Sequence, residues 1–384
     1  MTNHPRGDVV VVGAGMVGAA CAFYAARVGL DVVVVDRGPV AGGTTGAGEG
    51  NLLVSDKEPG PELELALLSL RLWGELAEEL GAAAEYEPKG GLVVASTPET
   101  LTALAELATG QRAAGVRATE VDAGELADVE PCLAAGLAGG VLYPQDAQVM
   151  PTLAAAHLLR ASGARLETGR TVTRVLRGPD GGVRGVGTDR GDLLAPIVVN
   201  AAGAWGGEVA ALAGVGLPVL PRRGFVLVTE PLPPRVRHKV YAADYVADVA
   251  SDSAALQTSP VVEGTPAGPV LIGASRERVG FDRSFSLPVV RALAAGATRL
   301  FPFLADVRAM RAYLGFRPYM PDHLPAVGPD PRVPGLFHAC GHEGAGIGLA
   351  PATGRLIAQV MTGEAPALAL APFRPDRFAE EAAS

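Results

Sequence analysis

Lysine is almost missing from this chain. Lys57, Lys89 and Lys239 are the whole complement, so positive charge is carried nearly entirely by arginine. Guanidinium groups suit fixed, two-pronged recognition of carboxylates. A basic surface is lacking too: the net charge is −9 at pH 7, which excludes nucleic acid as a partner bound through a basic face. Cysteine is scarce. Cys21, Cys132 and Cys340 are far apart, odd in number and without C-x-x-C spacing, which fits a reducing cytoplasm and excludes a four-cysteine zinc or iron–sulfur site within the chain. The six histidines show no H-E-x-x-H spacing, so no metal site is expected. No apolar run reaches membrane-spanning length, and MTNHPRG leads straight into a strand, so neither an integral membrane segment nor a signal peptide is expected. The expected location is the cytoplasm, with peripheral attachment at the inner face of the membrane as the alternative.

What is present is concentrated in Asp8 to Arg37. Val9 to Val12 are an unbroken β-branched run, suited to a parallel strand buried on both faces. Gly13, Gly15 and Gly18 then give G-x-G-x-x-G at a strand-to-helix turn. The first glycine allows the sharp turn, the second lets a pyrophosphate approach the backbone, and the third lets helix and strand pack closely. The helix through Ala19, Ala20, Ala25 and Ala26 aims its first N–H groups at the phosphates and stops at Gly29. Val32 to Val35 form the next strand, and Asp36 at its end can accept hydrogen bonds from ribose hydroxyls. Strand, helix and acid together supply the context that a bare glycine triplet lacks. The motif leaves FAD and NAD both open; Asp36 would repel a 2′-phosphate, which disfavours NADP.

The 384 residues, 48% apolar, are enough for two domains with ample core. Residues 41 to 60 (AGGTTGAGEGNLLVSDKEPG) are too rich in Gly and Thr for a helix or regular strand and read as a loop lying along a phosphate chain or flavin ring. Pro61 to Leu80 reads as a helix, with Pro61 first, Glu62 and Glu64 complementing the dipole, and Gly81 ending it. Trp73 is assigned to packing. Gly91 to Ser96 is an expected strand, Glu99 to Ala114 a helix, and Ala123 to Asp128 a short helix. Pro151 to Ser162 reads as a helix and Ala164 to Glu167 as a strand. Thr171 to Leu176 and Val183 to Thr188 read as a hairpin pair, and Ile197 to Asn200 as a buried strand running into AAGAW. From Pro218 to Gly315 strand-like runs (Gly224 to Thr229, Ala254 to Thr258, Val270 to Gly273) and a helix, Pro288 to Leu300, suggest an inserted antiparallel sheet. Near the end, Leu336 to Cys340 reads as a strand, Gly341 to Gly348 as a glycine turn and Leu349 to Thr362 as a helix, repeating the geometry of the N-terminus. Two glycine-lined helix starts suggest one for a pyrophosphate and one for another electron-rich part of the same cofactor.

VVVGAGMVGAACAFYAARVGLDVVVVDR, VNAAGAW, GFRPYMPDHLPAVG and GHEGAGIGLAPATG together resemble the FAD-dependent D-amino-acid oxidase, glycine oxidase and sarcosine oxidase superfamily, over nearly the whole chain. GTTGAGEGNLLVSDKEPG and GHEGAGIGLAPATG look closest to its D-amino-acid, hydroxyproline and opine dehydrogenase branch, with the flavin subunits related to hydrogen cyanide synthase. The resemblance implies an α/β Rossmann-like FAD-binding domain of glutathione-reductase type (1–60, 141–214 and 321–384) and an inserted antiparallel β-sheet substrate domain of α+β character (61–140 and 215–320). It implies that Gly13, Gly15, Gly18 and Asp36 hold the ADP half of FAD, with Ala14, Met16 and Arg37 in the same set. Thr44, Thr45, Gly46 and Ala47 would lie near phosphates and flavin, Val172 at the adenine, and Ala202 and Gly203 beside the cofactor. Gly344, Ala345, Gly346, Ile347, Gly348 and Leu349 would bring N–H groups to flavin N1 and O2. Arg317 matches the arginine that binds a substrate carboxylate. Glycine oxidase has a second arginine where this chain has Glu343-Gly344-Ala345, which speaks against a glycine-oxidase specificity; Gly315 and Phe316 stand where a flavin-tethering cysteine would be, so FAD is expected to be non-covalent.

The implied chemistry is oxidation of the C–N bond of an amino acid or N-substituted amino acid (D-amino acid, glycine, proline or opine type) to an imine, with electrons passed to a quinone or to a partner such as an iron–sulfur subunit. The alternatives are an oxygen-using oxidase that makes peroxide, and a non-catalytic FAD relay or scaffold subunit of a complex. Tyr241, Tyr245, Tyr313 and Tyr319 are candidates for the substrate cavity wall, and His342 and Glu343 are the titratable groups nearest the flavin by sequence, with no role assigned.

Overall fold

The computed structural model describes residues 6–249 and 251–378. The expectation concerning the opening residues 1–5 and the outer ends of the expected domain ranges lie outside the described residues. The chain begins with β1 (Val9–Val12), α1 (Met16–Arg27) and β2 (Val32–Asp36). The 41–60 segment is a loop holding one 3₁₀ turn, Thr44–Ala47, and the two-residue strand β3 (Asn51–Leu52). There follow α2 (Pro61–Leu80), β4 (Gly91–Ala95), α3 (Pro98–Ala113), β5 (Thr119–Asp122), α4 (Leu126–Val129), β6 (Gly139–Tyr143) and β7 (Ala147–Gln148). Next come α5 (Pro151–Ser162), β8 (Arg165–Thr168), β9 (Val172–Arg177), β10 (Val183–Thr188), β11 (Gly191–Leu194), β12 (Ile197–Asn200) and α6 (Gly206–Leu212). The inserted region carries β13 (Leu220–Thr229), β14 (Lys239–Ala242), α7 (Asp244–Val249), β15 (Gln257–Gly264), β16 (Val270–Arg276), α8 (Leu287–Leu300) and β17 (Ala309–Tyr319). The chain closes with β18 (Ala326–Pro329), β19 (Leu336–Cys340) and α9 (Gly346–Met361).

Two sheets organise these elements. The first has the order β18-β19-β12-β1-β2-β8, parallel throughout except for the β18–β19 edge pair. The valines of β1 and β2 are all buried, as a strand covered on both faces requires. The second has eight strands, β17-β13-β16-β15-β14-β4-β6-β5. Its pairs are antiparallel with one exception: β14 and β4 run parallel, which joins the two inserted stretches of chain into one sheet. β6 belongs to this sheet, so the expected boundary at 140/141 falls inside a strand.

Several element boundaries differ from expectation: β13 begins at Leu220 and not Gly224, β16 runs on to Arg276 and not Gly273, and α4 spans Leu126–Val129 and not Ala123 to Asp128; two further differences have a clear physical reason. The strand expected at Ala254 to Thr258 instead runs from Gln257 to Gly264, straight through Pro260. A register shift between Thr258 and Val261 accommodates the proline, which has no N–H for the ladder. The last helix starts at Gly346, three residues early, and holds Pro351 in its second turn. That proline cannot donate to the Ile347 carbonyl four residues back. Trp73 of α2 replaces the missing donor: its indole N–H reaches Ile347 O at 3.2 Å and Gly348 O at 3.1 Å. One turn away on α2, Ser69 Oγ accepts the Ala352 N–H at 3.2 Å. Trp73 is therefore packed, as expected, and also completes the backbone of α9. Helices α1 and α9 approach so closely that a Cβ on Gly354 would lie 2.6 Å from the Ala20 backbone.

Candidate functional site

A cavity of about 720 Å³ runs between the two sheets. At one end it is walled by backbone. Gly13, Gly15 and Met16 face it from the β1–α1 turn, and Asp36 and Arg37 from the end of β2. Ala14 and Gly18 lie beneath this wall, buried. Asp36 Oδ2 accepts the Ala14 N–H at 2.8 Å and Oδ1 accepts the Gly38 N–H at 2.7 Å. Each oxygen retains a further lone pair toward the cavity. Val172, Ala202 and Gly203 continue this wall, and Arg37 stacks 4.2 Å from the centre of the Trp205 ring, which also faces the cavity.

The 44–47 turn forms the middle of the cavity. Thr44, Thr45, Gly46 and Ala47 all face it. Thr45 Oγ1 accepts the Met16 N–H at 2.9 Å, and the Thr44 hydroxyl donates to Phe316 O at 2.7 Å. The turn is thereby tied to the N-terminus of α1 on one side and to β17 on the other. Gly344, Gly346 and Ile347 bring the N-terminus of α9 to the same space, while Ala345, Gly348 and Leu349 point elsewhere. His342 is buried on the wall, bonded through Nε2 to Thr353 Oγ1 at 3.0 Å. Burial alone pulls its pKa down to about 3, so it is neutral near pH 7.

The far end is built from charged side chains. Arg317 of β17 faces the cavity, with Nη1 donating to Ser275 O at 2.8 Å. Among the described residues it forms no ion pair. Burial lowers its pKa, and the guanidinium of Arg276 adds to that; arginine nonetheless remains charged. Glu343, with φ +46°, also lines the cavity and is bound by Arg222 Nη1 at 3.3 Å and by His323 Nδ1 at 2.8 Å. Tyr245 and Tyr313 line the cavity; Tyr241 is instead hydrogen-bonded to Ser55, and the Tyr319 hydroxyl donates to Asp252 at 2.9 Å. Glu49 faces the cavity as well. Its Oε2 accepts from Asn51 Nδ2 at 3.1 Å and lies 3.6 Å from the buried ammonium of Lys239, while Oε1 is buried without a hydrogen bond. Burial opposes the charge on Lys239, but Glu263, at 2.6 Å, and Glu49 outweigh it and hold its pKa above the ordinary range.

Comparison with known proteins places this arrangement. The family model described as FAD dependent oxidoreductase matches residues 8–360. The chain belongs to the FAD-dependent oxidoreductase family. It is similar to the hydrogen cyanide synthase subunit HcnC of Pseudomonas aeruginosa, 31% identical over 98% of this chain and 97% of that one. Glycine oxidase of Geobacillus kaustophilus is 32% identical, with 96% of each chain covered. The crystal structure of that glycine oxidase superposes with a TM-score of 0.88, covering 97% of this chain and 99% of the other.

As an FAD-dependent oxidoreductase the chain uses FAD as cofactor, and the residues fit that group. Two helix N-termini, at Gly15–Met16 and Gly346–Ile347, open onto one elongated cavity, and each can face an electron-rich part of one ligand. The motif reading found this end of the site because its recognition elements are contiguous in sequence. It missed Glu49, Arg222 and Arg276. For Glu49 there was a signal: it is the single charged residue in the glycine-rich stretch 41–50. For the two arginines there was none, since only strand pairing brings them to Arg317. Among the described residues no helix is long and apolar enough to cross a membrane, and no group of three or more His, Cys, Asp or Glu side chains converges as a metal site.

Proposed function

We propose that this protein oxidises the C–N bond of an amino acid or N-substituted amino acid to the imine, which water then hydrolyses. The observation that carries this is Arg317, a cationic group on the cavity wall that lacks a carboxylate partner among the described residues. FAD, when bound, supplies a two-electron acceptor for hydride from the substrate carbon. Gly13, Gly15, Asp36, Val172 and Ala202–Gly203 would hold its ADP half, and Thr44–Ala47 with Gly344–Ile347 its flavin half.

The protein's own groups set the pose. Arg317 takes the substrate carboxylate in two parallel hydrogen bonds, which fixes the direction of the Cα–H bond. Glu49, which also lines the cavity, adds a carboxylate to the wall that carries Arg317. Tyr245 and Tyr313 exclude water between them. The positive end of α9 would stabilise negative charge on a flavin held at Gly344–Ile347. The similarity to glycine oxidase supports this substrate class. The name of HcnC, a synthase subunit, supports transfer of electrons to a partner protein or quinone, with oxygen as the alternative acceptor.

Anaerobic mixing of the holoprotein with D-amino acids, glycine, sarcosine, prolines and opines tests the reading. Bleaching of the flavin by any of them is expected. A fully loaded protein that none of them bleaches would favour the electron-relay role. Comparing turnover in air with turnover in an acceptor dye then separates the acceptors. Stoichiometric peroxide at a rate matching the dye would mark an oxidase.

A further inference from the structure

Oxidation of an amino acid has a proton to dispose of before any hydride moves. The amine arrives at neutral pH as an ammonium, and nitrogen then has no free electron pair with which to form the imine. One N–H proton must leave first. Beside the substrate end lies a second, smaller void of about 10 Å³, close to the room one water needs. Asn51, Tyr245 and Gly344 line both this void and the cavity. The Asn51 side chain is committed, to Glu49 and to Lys239. The Tyr245 hydroxyl makes no hydrogen bond among the described residues, while its ring is held by Tyr241, 5.1 Å away, and by the guanidinium of Arg276, 4.8 Å away. That hydroxyl lies within electrostatic reach of both Arg317 and Lys57.

Asp56 and Lys57 line the same void, and both side chains are buried. Lys57 Nζ bonds Asp56 Oδ1 at 2.7 Å and lies 3.7 Å from Oε1 of Glu62, at the start of α2. Asp56 Oδ2 has no hydrogen bond among the described residues. Glu62 meets solvent, with its side chain 25% exposed. An ion pair serving only the fold would be complete with Asp56, and a second, largely buried carboxylate costs free energy. Two carboxylates share one ammonium, so the trio carries one negative charge in excess and can take up one proton. The ionisable groups around it are otherwise engaged: Glu343 with Arg222 and His323, Asp146 with Ser55 and the Val54 N–H, and Lys239 with Glu263. Burial lifts the Glu62 pKa to about 7 against the pull of Lys57, with Asp56 and Glu343 adding to the rise and His323 opposing it. We propose that Tyr245, Asp56, Lys57 and Glu62 form a proton exit from the substrate site to solvent. The proposal rests on the amine-oxidising reading above and adds the route by which the amine becomes neutral. The N–H bond of the substrate ammonium breaks and its electron pair stays on nitrogen. Tyr245 takes that proton as it gives its own, through a water in the void, to Asp56. Lys57 passes one proton to Glu62 as it takes one from Asp56, and so remains an ammonium. Glu62 releases its proton to solvent. Hydride then leaves the neighbouring carbon as the C=N bond forms.

The test uses the FAD-loaded full chain and the amino acid that bleaches the wild type fastest, mixed anaerobically. Glu62→Gln and Asp56→Asn should each slow flavin reduction at neutral pH by roughly 100-fold, the lower end of the range for a positioned proton transfer. Two readouts separate this from damage to the fold. Imidazole, a small diffusible base, should restore the rate in both variants and leave the wild type unchanged. Above the amine's own pKa the substrate arrives neutral, and both variants should then match the wild type. Wild-type rates at neutral pH in either variant, or a loss that either treatment leaves in place, would overturn the proposal and leave amine oxidation standing. A wild type that no amino acid bleaches would overturn both.

Discussion

The two ends of the cavity recognise their ligands by different means. The nucleotide end works through backbone: glycine turns, helix N-termini and a single carboxylate at the end of β2. The substrate end works through side chains: Arg317, Glu49 and Glu343 line it and Arg222 and Arg276 are buried nearby, contributed by three strands and two loops of widely separated sequence. Backbone recognition tolerates almost no added bulk, because the atoms that bind are the atoms that fold. Side-chain recognition can be altered without disturbing the backbone that folds. Changes at the first end should therefore remove the cofactor and stability together, and changes at the second should separate them.

The largest effect is expected at Gly13. Its φ is +118°, and a Cβ there would lie 2.3 Å from Ala201 O. Gly13→Val adds backbone strain to a clash that no rotamer avoids, for a destabilisation of about 2–5 kcal/mol. Flavin absorbance per mole of protein and thermal unfolding should fall together. Full flavin content with an unchanged melting temperature would break the proposed contrast at its firmer end.

Arg317→Ala should do the opposite, leaving flavin content and stability near wild type while turnover of a carboxylate substrate collapses. Leaving a buried charge unpaired costs about 2–5 kcal/mol, roughly a 30- to 4,000-fold loss in kcat/KM. Arg317→Lys should recover only part of this, since an ammonium cannot reproduce the two-pronged contact. Loss of flavin in either variant would show that Arg317 holds up the cavity and is not reserved for substrate.

The same contrast explains what could be read before the fold was known. Strand, glycine turn, helix and Asp36 lie within 28 residues of each other, from Val9 onward, so local pattern was enough to place them. The second glycine turn was legible too, but its helix start was placed three residues late. The helix tolerates Pro351 because Trp73 and Ser69 serve the broken ladder from outside. The arginine cluster was not legible beyond Arg317. Arg222 and Arg276 lie outside the strand bounds read from sequence, Gly224 to Thr229 and Val270 to Gly273, and their meeting depends on β13–β16–β17 pairing. The parallel β14–β4 contact was equally invisible, because it pairs residues about 150 positions apart.

Trp73 offers a way to sharpen the comparison within the backbone-recognising part. Trp73→Phe keeps the aromatic packing and deletes the indole N–H, leaving the carbonyls of Ile347 and Gly348 short of a donor in a buried site. The expected destabilisation is about 1–3 kcal/mol. Since these carbonyls belong to the first turn of α9, the flavin midpoint potential should shift as well. A loss of stability without any change in flavin spectrum or potential would confine Trp73 to packing.

The smallest expected effect is a pH dependence at the substrate end. His323 sits with Nδ1 2.8 Å from Glu343 Oε1 and Nε2 3.2 Å from Asp252 Oδ1. The hydrogen bond to Glu343 raises its pKa above the ordinary 6.5, against an opposing effect of partial burial. A histidine whose folded pKa exceeds its unfolded value binds protons more tightly when folded. Its contribution to stability is therefore complete below pH about 6.5 and fades as the pH rises through the higher folded value. Solvent reaches both His323 and Asp252, so the contribution is at most about 1 kcal/mol. The melting temperatures of wild type and His323→Gln should differ more near pH 6 than near pH 9. At the nucleotide end the one carboxylate, Asp36, is held by the backbone N–H groups of Ala14 and Gly38. A difference between wild type and variant that stays constant across this range would mean that His323 supports Glu343 by shape and not by charge, and the substrate end would then resemble the nucleotide end more closely than its side chains suggest.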